Sequence, residues 1–89
     1  MSQPPGLEKN TISIIVDSAK GSTELEVLKT AKVEEVRDKA VSALSLGTPA
    51  DWELVFQGER MKLERTLVSY GVKEGDHLEL SRITVKGVG

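Results

Sequence analysis

The residues of this 89-residue chain that could do chemistry are few. His77 is the only histidine, and Asp76 precedes it directly. Neighbours on a strand point to opposite faces, so this pair is not expected to share a proton. No cysteine is present, which removes disulfides, thiolate zinc sites and cysteine nucleophiles. One histidine without cysteine does not make an ordinary structural zinc site. His77 therefore reads as a surface residue, with a titrating switch as the alternative. Ser18, Ser22, Ser42, Ser45, Ser69 and Ser81 carry hydroxyls, but the chain order suggests no histidine–acid arrangement to activate one. Gly58, Gly71 and Gly75 fit neither a P-loop nor a dinucleotide fingerprint and read as turn positions. The carboxylates fall mostly on solvent faces, with no pair placed for acid–base work. These residues argue against an enzyme, and no cofactor or metal is expected.

Composition points the same way. The length allows one small domain, and its core must come from packing alone. Hydrophobic residues make up 38% and charged residues 29%, which suits a soluble globule. The net charge of −2 and isoelectric point near 5.4 argue against nucleic acid and against an anionic membrane surface. No apolar run approaches the ~20 residues of a membrane helix. The start "MSQPPGLEKN" lacks a basic n-region and an apolar h-region. The expected location is cytoplasmic and/or nuclear, and the expected state is monomeric.

The elements that must position these residues read as strands around one helix. Residues 1–10, with Pro4, Pro5 and Gly6, are expected to be a flexible tail, and residues 85–89 a second one. In "TISIIVD", Ile12, Ile14 and Val16 alternate onto one face. Gly21 supplies a turn, and "TELEVL" resumes with Leu25 and Val27 inside, predicting an antiparallel hairpin. Val33, Val36, Ala40 and Ala43 or Leu44 then follow helical spacing, with Glu34, Glu35, Arg37, Asp38 and Lys39 on the other face. Thr30 is the expected N-cap, and Gly47 with Pro49 beyond it the expected C-terminal stop. "ELVF" reads as a strand, "QGER" as a turn, "MKL" as a very short strand, "RTLVSYGV" as a compact loop or helical turn, and "HLELSRI" as a final strand. Leu54, Met61, Leu67, Val72, Leu78 and Leu80 are the inward candidates. Phe56 is expected to be half covered at the sheet edge. Trp52 reads as a partly buried anchor whose N–H finds a partner, and Tyr70 as a packed ring whose hydroxyl ties down loop backbone. The order is an α+β pattern, a helix on one face of a sheet.

The stretch "LVFQGERMKLERTLVSYGV", with "LEV" at Leu25–Val27 and the helix opening at Val33, resembles the ubiquitin family. The resemblance runs from Ile12 to about Arg82 and is most specific in its later half. It implies a β-grasp fold over residues 11–84, a mixed sheet of four to five strands with one main helix packed on one face. It also implies a non-catalytic module that binds proteins: ubiquitin-pathway receptors, proteasome-like docking sites, or a partner with a basic and apolar face. Val55 takes the slot of the family's central exposed apolar residue. The slots of its companions hold Ser18 or Ala19, Glu79 and Ser81, so the patch is diluted and acidic. The places that resemble the main chain-linking lysines hold Glu59 and Glu74. The alternative implied function is a divergent modifier conjugated through a C-terminal glycine, Gly89, or Gly87 after processing. There the branched Val88 stands between the glycines, where a modifier threads a pair of them into its activating enzyme. The expected partner-binding residues are thus Val55, Glu79, Ser81, Ala19 and Glu59.

Overall fold

A computed structural model describes residues 10–83. The expected tails, with Gly87, Val88 and Gly89, lie outside the described residues, except that the Asn10 carbonyl accepts a bond from the Lys29 N–H at 2.8 Å.

Alternating sequence produces β1 (Thr11–Ser18) and β2 (Gly21–Leu28), paired antiparallel from Thr11↔Leu28 to Ser18↔Gly21. After α1 (Val33–Ala43) come β3 (Trp52–Phe56), β4 (Glu59–Arg60) and, following a short 3-10 turn at Val68–Tyr70, β5 (His77–Arg82). The sheet order is β2-β1-β5-β3-β4, antiparallel throughout except for the parallel β1–β5 pair. This is the expected mixed sheet, and α1 covers one face of it. Ile14, Val16, Leu54, Leu78 and Leu80 pack from the sheet, and Val33, Val36, Ala40 and Val41 from the helix, each buried to within 2% exposure. Leu67, at 0% exposure, and Met61 and Val72 close the core from the long loop before β5.

The helix is bounded differently from expectation. Its cap position is Lys32, without a side-chain cap, rather than Thr30. The reason is that residues 29–32 are engaged with the loop after β4. Lys29 and Ala31 carbonyls accept the Val68 and Leu67 N–H groups, and Lys32 bridges Thr66. That loop returns the favour at the helix start, where Val33 and Glu34 donate to the Arg65 and Leu63 carbonyls at 2.8 and 3.1 Å. Two of the four orphan amides of a helix N-terminus are thereby satisfied by backbone. At the other end the closure falls at Ser45 (φ 53°), two residues before Gly47, which also has positive φ (95°): Leu46 donates to Val41 and Ser45 to Ser42, the paired bonds of a Schellman closure. Turning there lets Leu46 fold back against the core.

Two side chains and one strand also depart from expectation. Arg37 is buried, because 33, 36, 37, 40 and 41 form one continuous helical stripe at i, i+3, i+4, i+7 and i+8. Its Nε and Nη2 donate to Asp38 Oδ1 at 3.1 and 3.0 Å. Phe56 is 7% exposed and belongs to the core, not the rim. The short strand after the turn is Glu59–Arg60, two residues earlier than "MKL". Gln57 (φ 55°) and Gly58 (φ 80°) both adopt positive φ, as in a two-residue hairpin turn whose twist suits its strands.

Trp52 is buried, and its Nε1–H donates to the Leu46 carbonyl at 3.3 Å. The Tyr70 hydroxyl accepts the Lys62 N–H at 2.7 Å, tying the two ends of the Met61–Tyr70 segment together. Tyr70→Phe is expected to keep the fold and lose about 1 kcal/mol, the net value of one hydrogen bond. Thermal melting checks it, and a variant that melts with the parent would contradict it.

Candidate functional site

The inward residues of each strand leave their neighbours on the opposite, outer face of the sheet. Cross-strand register sets these out in rows. One row runs Ser22, Asp17, Glu79, Val55, Arg60 across all five strands. Beside it lie Glu24, Ile15 and His77 in a second row, with Glu53 opposite Ser81. Val55 and Ile15 are half-buried, while Glu79, Glu24 and Arg60 are exposed. The face is acidic: Asp17, Glu24, Glu26, Glu53 and Glu79 stand against Arg60 and His77.

Both basic groups are engaged. Arg60 Nε lies 3.2 Å from Glu53 Oε1, and His77 Nδ1 lies 2.9 Å from Asp17 Oδ2. The Ser22 hydroxyl donates to the other Asp17 oxygen at 2.6 Å. The Ser22 bond, then the His77 bond and charge, outweigh partial desolvation and hold the Asp17 carboxyl below the ordinary aspartate value. The chain neighbour Asp76 instead accepts the Lys73 N–H at 2.8 Å, a turn bond, so the adjacent Asp76–His77 pair is not a dyad. Glu79 has no ion-pair partner among the described residues.

Val55 lies outward and directly opposite Glu79. Ala19 meets Glu79 through a shallow cleft of about 360 Å³ that Asp17 and Ser18 also line. Ser81 shares the face one row away, opposite Glu53. Glu59 does not join them: its cross-strand partner is Phe56, whose side chain goes inward, and Arg60 takes the place beside Val55. Sequence reasoning missed Asp17, Ile15 and Arg60. The parity of β1 placed Asp17 with Ser13 and Ile15 on the outer face, but nothing local indicated that a residue 60 positions away would pair with it. A separate small groove of about 60 Å³ lies between β2 and α1, lined by Val27, Leu28, Ala31, Glu35, Val36 and Lys39.

Among the described residues no group of three or more His, Asp or Glu is placed to hold a metal ion, and no helix is long and apolar enough to cross a membrane. The hairpin, crossing helix and centrally inserted last strand define a β-grasp domain of the ubiquitin-like class. The family described as "Ubiquitin-2 like Rad60 SUMO-like" matches residues 12–81, and the chain belongs to this family of ubiquitin-like domains. Among solved structures it is similar to the ubiquitin of Caldiarchaeum subterraneum, with 36% identity and a TM-score of 0.73 over 86% of this chain and 99% of that one. No match was found among curated protein sequences.

Asp17 gives the face a pH signature. Because its folded value is lowered, its contribution to stability is complete above the unfolded aspartate value of about 3.9 and is lost as pH falls through the folded value. Asp17→Asn is therefore expected to flatten the acid limb of a plot of Tm against pH below about pH 4. Identical acid limbs for parent and variant would contradict this.

Proposed function

We propose that the domain, residues 11–84, is a non-catalytic protein-interaction module that docks partners through the outer sheet face around Val55. The observation that carries this reading is the cross-strand row itself: an outward valine directly opposite an exposed glutamate without an ion-pair partner among the described residues, on a face with three further glutamates. Single exposed apolar residues are ordinary on any surface. Here Val55 occupies the slot where the ubiquitin family docks its partners, and its neighbours determine which partner fits. A partner built for an apolar, weakly basic patch would leave Glu79 desolvated and unpaired, which is costly. A partner presenting lysine or arginine beside an apolar side chain matches both features. Such complexes form fast at low ionic strength and weaken as salt screens the charges.

The test is an amide chemical-shift titration of the full chain with a short synthetic peptide of alternating lysine and valine. Shifts are expected at Val55, Glu79 and Ser81, weakened several-fold by Val55→Ala and abolished by Glu79→Lys. Shifts confined to the helix face around residues 34–39, with both variants binding like the parent, would contradict the reading.

A second reading, a divergent conjugated modifier, is favoured by the 36% identity that spans 99% of a ubiquitin. It would use Gly89, or Gly87 after processing, both outside the described residues. The branched Val88 between them suits a narrow activating channel poorly. Incubation with a ubiquitin-type activating enzyme and ATP is expected to yield no thioester. A reductant-sensitive adduct would establish the modifier reading instead.

A further inference from the structure

We propose that His77 makes docking at this face respond to pH, with protonation of its imidazole weakening the hold on a basic partner. The inference rests on the docking reading above and specifies its regulation.

The geometry is a histidine set among carboxylates in the middle of the sheet. Across the parallel β1–β5 pair, His77 Nδ1 meets Asp17 Oδ2 at 2.9 Å. From β2, Glu24 lies in the same row, opposite Ile15, which is itself opposite His77. On β5, Glu79 is two residues further along the same face. In the loop leading into β5, the Glu74 carboxylate accepts the Ser13 N–H at 3.0 Å and the Asp76 carboxylate accepts the Lys73 backbone N–H at 2.8 Å. On β3 and β4, Glu53 and Arg60 neutralise each other one strand further out. The histidine is thus in contact with one of the two carboxylates that line the Asp17–Glu79 cleft and two residues from the other on the same face of β5.

The chain also isolates the effect. His77 is its only histidine, and it has no cysteine. No other side chain ordinarily changes charge between about pH 5 and 8. Asp17, the carboxylate in contact with it, is held lower still and stays ionised throughout that window. Taking up one proton therefore adds one positive charge beside Asp17 and Glu79 and changes nothing else on the face. A lysine or arginine brought to the cleft then meets a face less negative by one unit.

The lysine–valine peptide keeps its own charge over the same range and serves as the probe. Its affinity for the full chain is measured by amide shifts at low ionic strength, at about pH 5.5 and about pH 7.5, either side of the ordinary histidine value. The imidazole carbon shifts of the same samples report the protonation of His77. The parent is expected to bind about threefold more weakly at the lower pH, the effect of one unit charge at ~6 Å through a water-like medium. His77→Asn is expected to bind equally at both, and His77→Lys, which carries a fixed charge, to bind weakly at both. Equal affinity of the parent at both pH values, or pH dependence retained in His77→Asn, overturns the proposal and leaves the docking reading standing. Peptide shifts that avoid Val55 and Glu79 at both pH values overturn the docking reading, and the proposal with it.

Discussion

The structure depends on the insertion of its last strand between its first and third. β5 pairs parallel with β1 and antiparallel with β3, so the β1–β2 and β3–β4 hairpins are joined into one sheet only through it. Parallel pairing cannot be made by a tight turn and needs a long crossing. Backbone bonds fix the entry: Gly75 donates to the Ser13 carbonyl at 2.7 Å and Ile15 to the Asp76 carbonyl at 3.0 Å. Those two bonds set the register Ile15↔His77, Val16↔Leu78, Asp17↔Glu79. A slip of one residue would turn Leu78 and Leu80 outward and bury Glu79, so the apolar core and the acidic face enforce the same register.

The crossing segment that delivers β5 also holds the helix. Leu67 is fully buried beneath it, Tyr70 fastens it to Lys62, and its carbonyls at Leu63 and Arg65 receive the first amides of α1. In a domain of this size total stability is on the order of 5–15 kcal/mol. A single Leu→Ala change in a core costs about 2–5 kcal/mol, so the core has little redundancy. The consequence for function is that the inner face tolerates few substitutions, while the outer face is free to carry charge.

Much of this was legible in the sequence. Strict alternation in "TISIIVD" and the change to helical spacing at Val33 marked the elements and most of the core. Trp52 and Tyr70 found the kinds of partner their polar atoms require. The features that escaped are those set by distant backbone. Thr30 looked like a cap, but a loop more than thirty residues later caps the helix with carbonyls. Gly47 looked like the stop, but the closure falls at Ser45, which accepts positive φ so that Leu46 can reach the core. Arg37 read as exposed because it is charged, although its position lies within the apolar stripe. At the candidate site, the facing of Val55 and Glu79 followed from alternation together with family strand order. The Asp17–His77 pair and the exchange of Glu59 for Arg60 required the actual register of β1 on β5 and of β4 on β3.

Apolar side chains that reach the surface, half-buried or exposed, distinguish one candidate docking surface from another. Val55 and Ile15 report on the outer sheet face, Leu28 on the free edge of β2, and Val68 on the loop end. The most direct test of the account is an isotope-filtered nuclear Overhauser experiment on the methyl-labelled chain with the unlabelled lysine–valine peptide. The account predicts intermolecular contacts to the Val55 and Ile15 methyls. Contacts restricted to Leu28 or Val68, with none to Val55, would contradict it.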